Sequence, residues 1–557
     1  MKKCWVSLQS VLVFLAFAVY TTAFMAACEF GDSLPSFTVS FHANGGEGAI
    51  PSQMVSAGSA ITLPDSTGFS KDGFVFAGWN TMTDGRGAHF SYGASFAPAE
   101  NITLFARWDP ATTVTFNVNG GTGTIPAQTV GEGLYITLPS GDRLSKSGFI
   151  FVGWNENASG TGINHIAGTQ FTPVGNTTLF ARWLPPVYGN TITDSLAWLQ
   201  DNAQGGGDYI IQLTANEDIA PLTLNFDNRN ITIILHSAGA MRTVNLSSNG
   251  NLFAIGQGVT LILDNNVSLN GRPNNNASLI RVKSGGTLIM NTGANITGNT
   301  NTSTNDEGTG GVIVNNGGTF TMLGGRIFNN SGSDGSRGND GSAGAAGNPG
   351  SSGSSGTSGN VGGTGGVSVN GGGRFTMYAG RIYNNTGGHG GNGGNGGIGG
   401  RGNNATSNFL GILLGAGANG AAGGNGGVGG TGGTGGVNIN SGGIFVMRGG
   451  EITGNNGGVG GRGGNGGDGG RGGSSGVGYF GRNGGRGGDG GHGGNGGTGG
   501  VSGNGTFGVE IADNNGGMGG SYGNGGNGGA GGSGTPSGSN GAAGFRGTSG
   551  YSGTGNY

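Results

Sequence analysis

The side chains that could do chemistry in this chain are few, and their spacing scatters them. Asp264, Asp306, Glu307 and Glu451 are carboxylates scattered along a long Val/Ile/Phe-rich stretch. Glycan cleavage needs two carboxylates about one bond, or a carboxylate–calcium pair with a basic residue, on one surface. These four fall at unrelated places in the repeat described next, so no catalytic residue and no metal site is expected. His389 and His492 stand singly, as do Asp468 and Asp489. The only thiols are Cys4 and Cys28, which leaves no internal disulfide once a leader ending before Cys28 is removed. No cofactor is implied, and the expectation is a chain that is not an enzyme.

What the sequence does contain is repetition. GGVIVNNGGTFTMLGGRIFNN from Gly310 returns as GGVSVNGGGRFTMYAGRIYNN from Gly365 and GGVNINSGGIFVMRGGEITGN from Gly435. Val312, Val367 and Val437 each stand 8 residues before Phe320, Phe375 and Phe445. Met322, Met377 and Met447 follow each Phe by 2, and Ile327, Ile382 and Ile452 by 7. The stretches between copies vary in length while this internal spacing does not, which is the mark of a solenoid. Stacked turn on turn, these Val, Phe, Met and Ile residues become core columns.

Ile280, Leu288, Met290 and Ile296 extend the columns one turn earlier, and Val501, Phe507, Ile511 and Asn514 one shortened turn later. Further rungs are expected from Asp208, Asn230 and Val259, making about eight rungs and a rod near 40 Å long at ~4.8 Å each. Exposed Asn residues at the rung ends, Asn330, Asn385 and Asn455, are expected to bond up and down the stack as an amide ladder. Residues 191–203 read as a short helix, capped by Thr193 or Asp194, whose Leu196, Trp198 and Leu199 cover the first rung's edge. The whole pattern resembles the right-handed parallel β-helices of the pectin-lyase-like and surface-adhesin type. That fold also hosts polysaccharide lyases and hydrolases, so a carbohydrate-active enzyme is the alternative.

Of 557 residues 140 are Gly, only 9% are charged, and the formal net charge is -3. There is no basic field for nucleic acid and no polybasic patch for anionic lipid. Lys2 and Lys3 precede a short apolar run, residues 11–20, too short to span a bilayer stably. The run leads to Met25-Ala26-Ala27-Cys28, which resembles a bacterial lipoprotein signal. That resemblance implies a lipid on Cys28 and attachment to the bacterial outer membrane or cell surface. It departs from the family in having Met25 where Leu is usual, and ordinary secretion with cleavage after Ala23 is the other reading. Residues 1–27 are thus a leader and 28–36 a linker.

Residues 37–109 and 110–184 are tandem copies offset by 75: Asn44-Gly45-Gly46 returns as Asn119-Gly120-Gly121, Gly78-Trp79-Asn80 as Gly153-Trp154-Asn155, and Phe105-Ala106-Arg107-Trp108 as Phe180-Ala181-Arg182-Trp183. Short alternating runs bounded by Asn-Gly turns read as strands. Trp79 and Trp154 read as core anchors, with a ligand platform as the sharper alternative. This block order resembles the Listeria–Bacteroides (internalin B-type) repeat, which implies small β-grasp-like modules strung as a stalk or host-contact segment. Residues 185–207, opening with Pro185-Pro186, are read as a stiff linker and the capping helix.

The β-helix is placed at 208–515, with Gly-rich inserts at 333–364, 387–434 and 457–498 and a Gly-rich tail at 516–557. In the inserts Gly recurs in threes, as Gly-x-y in 335–365 and as Gly-Gly-x elsewhere. Three is the period of a polyproline-II-type helix, and Gly-Gly-x leaves two of its ridges bare. Each insert is expected to be a hairpin of two arms about 50 Å long, the arms packing as a polyglycine-II bundle with Gly-x-y arms at its edge. Disorder is the competing expectation, because Gly loses the most entropy on ordering. A collagen triple helix would need more Pro than the single Pro349 in its insert, and a calcium-binding roll more regular Asp.

The function expected from all this is a non-catalytic cell-surface lipoprotein, an adhesin or surface-architecture protein. Its partners would be the membrane, through Cys28, and a host or neighbouring-cell surface protein or glycan, with no nucleic acid. Besides the enzyme, a purely structural or ice- or surface-binding protein is the other alternative.

Overall fold

The computed structural model describes residues 35–552 apart from 228, 238, 408–412, 476–478 and, in the last part, 504–505, 508–510, 513–517, 519–520, 522–523, 525–526, 528–529, 531–536 and 538. The leader, Cys28 and Asn514 lie outside the described residues. The chain is all-β, with one α-helix longer than a turn among the described residues.

Three parallel sheets of 8, 8 and 7 strands form a right-handed β-helix of seven full turns and an eighth of two strands. In the first sheet Leu288, Phe320, Phe375 and Phe445 lie in register, as do Met290, Met322, Met377 and Met447. The phenyl rings of Phe320, Phe375 and Phe445 stack at 4.5 Å and 4.8 Å, nearly parallel. Ile296, Ile327, Ile382 and Ile452 align in the second sheet, and Ile280, Val312, Val367, Val437 and Val501 in the third. One continuous apolar core results, running from the helix Ile192–Asn202 to Val501. Because each column is filled by its neighbours above and below, Ile382→Val should leave a methyl-sized void. The cost is about 0.5–1.5 kcal/mol, read as a drop in denaturation midpoint without a change in strand content.

The Asn residues at the turn after the second sheet are not exposed. Asn299, Asn330, Asn385 and Asn455 are all fully buried. Asn385 Nδ2 donates to Asn455 Oδ1 at 2.9 Å, and Asn330 Nδ2 to Asn385 Oδ1 at 3.1 Å. Sequence reasoning placed the ladder but put it on the wrong side of the wall: the amides face inward because the tight corner would otherwise bury unpaired carbonyls.

Helix Ile192–Asn202 plugs the first turn with Ile192, Leu196 and Leu199. Its cap is Thr191, whose Oγ1 accepts from Asp194 N–H at 3.1 Å, and not Thr193 or Asp194. Trp198 only partly joins the core. Glu217 accepts from Ile192 N–H at 2.9 Å, and burial holds its carboxyl above its ordinary value. The folded chain therefore takes up this proton more readily than the unfolded one. The contribution is largest at low pH and is lost as pH rises through the folded value. Glu217→Gln keeps the acceptor without the charge, so its melting temperature should gain on the parent's as pH is raised from 4 to 7.

The two N-terminal modules are fused. Strand Ile102–Asn117 runs through both, pairing with Phe74–Asn80 and Ser36–His42 in the first and with Gln128–Gly131 and Thr177–Leu184 in the second. Nor is the second module a free stalk. Its Ile150, Val152, Ile166 and Leu184 pack against Ile210, Ile234, Ile262, Ile289 and Leu323 on the outer face of the first sheet. Arg182 pairs with Asp208 at 2.5 Å beside that contact. Pro186 bridges to Ile210, so the joint after the module is itself part of the first turn.

Candidate functional site: the solenoid wall and the glycine bundle

Each candidate carboxylate has a structural partner. Asp264 bonds His236 (2.7 Å) and Asn291 (2.9 Å). Asp306 is buried, pairs with Arg281 and accepts from Asn251 Nδ2 and Ser278 Oγ. Glu307 accepts from Asn440 Nδ2 across the neighbouring loop at 2.7 Å. Glu451 meets Arg381 at 2.7 Å on the exposed second sheet. Asp306 and Glu307 are neighbours in one turn, 305–308, but bond different partners, while Asp264 follows a strand of the first sheet and Glu451 stands in the second. No cluster of three metal-ligating side chains occurs among the described residues. Trp79 and Trp154 are fully buried, their indoles bonded to Pro64 O and Pro139 O, which makes them core and not a platform.

The Gly-rich segments leave the solenoid at one corner, between its second and third sheets, and they are ordered. First arms 335–347, 387–402 and 457–473 run parallel to one another: Gly338 N–H donates to Asn392 O and Gly393 N–H to Arg462 O, both at 2.8 Å. Second arms 350–365, 418–436 and 484–500 form a second layer, with Gly356 N–H to Asn425 O and Gly426 N–H to Asp489 O at 2.8 Å. The layers bond antiparallel, as where Gly394 N–H meets Thr357 O and Gly464 N–H meets Gly427 O. The arms step by one solenoid turn, about 4.8 Å, so wall and bundle share a single spacing. At that spacing there is no room for a side chain: a Cβ on Gly394 would overlap Asn339 O, and one on Gly464 would overlap Gly394 O.

The tail read as separate joins this bundle. Gly463 N–H donates to Ser521 O and Gly490 N–H to Phe545 O, adding a fourth pair of strands of the same kind where residues are described. The Gly-x-y arms 335–347, 350–365 and 539–551 lie at the two edges, where only one bare ridge is needed.

The third residue of each triplet has a function that the sequence did not disclose. Where the matching side chain of the preceding arm is an acceptor, it takes this residue's own N–H. Asn395 N–H bonds Asp340 Oδ1 (2.7 Å), Asn465 N–H bonds Asn395 Oδ1 (3.0 Å), and Asn524 N–H bonds Asn465 Oδ1 (2.9 Å). The other face repeats this with Ser355, Asn425, Asp489 and Phe545. His389 and His492 act in the same way through Nδ1. Hydrogen bonds from Arg337 and Asn395 hold the Asp340 carboxyl below its ordinary value. The enrichment of Asn and Asp at third positions was the available signal.

Two β-grasp-like modules fused to a β-helix with a lateral glycine bundle define an all-β repeat protein. The modules match the Listeria-Bacteroides repeat domain over residues 37–107 and 113–182. The chain is similar to a Gly-rich membrane protein of Evansella cellulosilytica, 31% identical over 27% of this chain and 19% of the relative. It is also similar to Internalin H of Listeria monocytogenes, 29% identical over 23% of this chain and 22% of that protein. The chain thus spans about a fifth of the length of these relatives. No solved structure matches.

Proposed function

We propose that this is a non-catalytic cell-surface protein, held by a lipid on Cys28, that adheres through the outer ridges of its glycine bundle. One observation carries the reading. The last arm exposes Phe545 and Tyr551, 72% and 81% accessible, on one ridge of a rigid lattice. Their backbone N–H groups are bonded to Asp489 and Asn495, and the Arg486 guanidinium lies 5.1 Å from the centre of the Phe545 ring, yet both rings stay largely open to solvent. Rigid aromatic side chains contribute large contact area at low entropic cost. Regular spacing lets many weak contacts add. The relatives' descriptions as a membrane protein and an internalin support the surface location.

The test uses cells displaying the chain on host matrix, on glycan-coated plates and on neighbouring cells. Phe545→Ser with Tyr551→Ser should reduce attachment at least tenfold while leaving the melting temperature unchanged. Undiminished attachment would refute the bundle as the contact face. Surface protease shaving and fatty-acid labelling, compared between the parent and Cys28→Ala, address anchoring. Turnover of any acidic polysaccharide would replace this reading with the enzymatic one.

A further inference from the structure

Where the second module meets the solenoid, the two leave a cleft of about 580 Å³, within the range of small-ligand sites. Its walls differ in character. The module contributes aromatic surface from Phe149, Phe151 and Trp183, with Phe149 two-fifths exposed. The solenoid contributes one polar residue per turn: Gln212, His236, Asp264 and Asn291. These stand about 4.8 Å apart along the wall, and three of them are joined by hydrogen bonds through Asp264.

The chain of bonds ends open. His236 Nδ1 is engaged by Asp264, and its Nε2 has no hydrogen-bond partner among the described residues. Asn291 Oδ1 is buried and has no hydrogen-bond partner among the described residues. The side-chain amides of Gln212 and of Asn265, at the same rim, carry no hydrogen bond among the described residues. This row interrupts an otherwise apolar outer face, which is Ile210, Ile234, Ile262, Ile289 and Leu323 where the module touches it.

We propose that this cleft binds a neutral saccharide. A pyranose has one C–H-rich face, which matches a phenyl ring, and a rim of hydroxyls that each donate and accept, which matches a column of amide, imidazole and carboxylate. Lys146 offsets only one of the two carboxylates, Asp142 and Asp264, so the cleft has no positive field to favour a phosphate or uronate. An apolar ligand would strand the polar column without partners, which is unfavourable for each group. The site is separate from the bundle ridge, and its failure would leave the surface reading intact.

The test titrates the exported chain with neutral trisaccharides of glucose, galactose, mannose and N-acetylglucosamine, by calorimetry and saturation-transfer NMR. At least one should bind saturably, with transfer to aromatic protons. Phe149→Ala and His236→Ala should each weaken binding tenfold or more at unchanged melting temperature, while Phe545→Ser should leave it unaltered. Absence of binding up to about 10 mM, binding indifferent to both cleft substitutions, or preference for acidic sugars would each overturn the proposal. Should His236→Ala fail to fold, Phe149→Ala decides alone, since that ring lies at the surface of the module.

Discussion

Replacing Asn385 with leucine should lower stability by about 3–6 kcal/mol, the largest loss expected from a single side chain in the solenoid. Asn385 Oδ1 accepts from both Asn330 N–H and Asn330 Nδ2. Its Nδ2 donates to Ile327 O and Asn455 Oδ1. Leucine fills the space but leaves Asn330 N–H without its acceptor, at about 1–3 kcal/mol, and strips one bond each from Asn330 Nδ2, Ile327 O and Asn455 Oδ1, at about 1 kcal/mol apiece. The comparison variant is Asn370→Leu. The Asn315–Asn370–Asn440 row is bonded in the same manner but is only half-buried, so water replaces the lost partner and the cost should stay below about 1 kcal/mol. Because a solenoid is held by nearest-neighbour contacts, the Asn385→Leu melt should also split into two transitions. Equal effects of the two substitutions would mean that inward amides are not what closes the corner.

The second large effect belongs to the bundle. Gly464→Val places a branched side chain where Gly394 O already stands. It also disturbs the bonds from Gly464 N–H to Gly427 O and from Gly491 N–H to Gly464 O. Overpacking of about 1–3 kcal/mol adds to the lost bonds at about 1 kcal/mol apiece. Amides of arms 418–436, 457–473 and 484–500 should then exchange about 100-fold faster. Amides of the solenoid columns should not change. Ile398→Ala, at an exposed third position, should have no such effect. Exchange of the parent's Gly-Gly-x amides within seconds would refute an ordered bundle outright.

Much of this was legible because the physics repeats with the sequence. A fixed 8-2-5-3 spacing through Phe320, Phe375 and Phe445 leaves one way to stack, and triplet glycines leave one helix in which two ridges are bare. What escaped is what depends on contacts between different repeats. The docking of the second module shows in hindsight as a change of strand pattern. Ile233-Ile234-Leu235, Leu261-Ile262-Leu263 and Leu288-Ile289-Met290 are apolar on both faces, whereas Phe320-Thr321-Met322 and Phe375-Thr376-Met377 alternate. Continuous runs mark strands covered on both sides, and the change falls at Leu323, where the module's cover ends. The uninterrupted strand 102–117 was hidden by Asp109-Pro110, which reads as a boundary. The cleft could not be read at all, since its two walls come from segments that share no pattern.

Strand Ile102–Asn117 also bears on mechanics. Suppose the chain is tethered at its start and gripped at the bundle. Tension then passes from the first module to the second along this one strand, whose hydrogen-bonded neighbours on either side must slide together before it can yield. Loading of that kind is shear, in which many bonds resist at once, and the second module passes the load on to the solenoid wall through Arg182 and the isoleucine face. A molecule so wired would behave under flow as a stiff lever, with no slack at the junction between its modules.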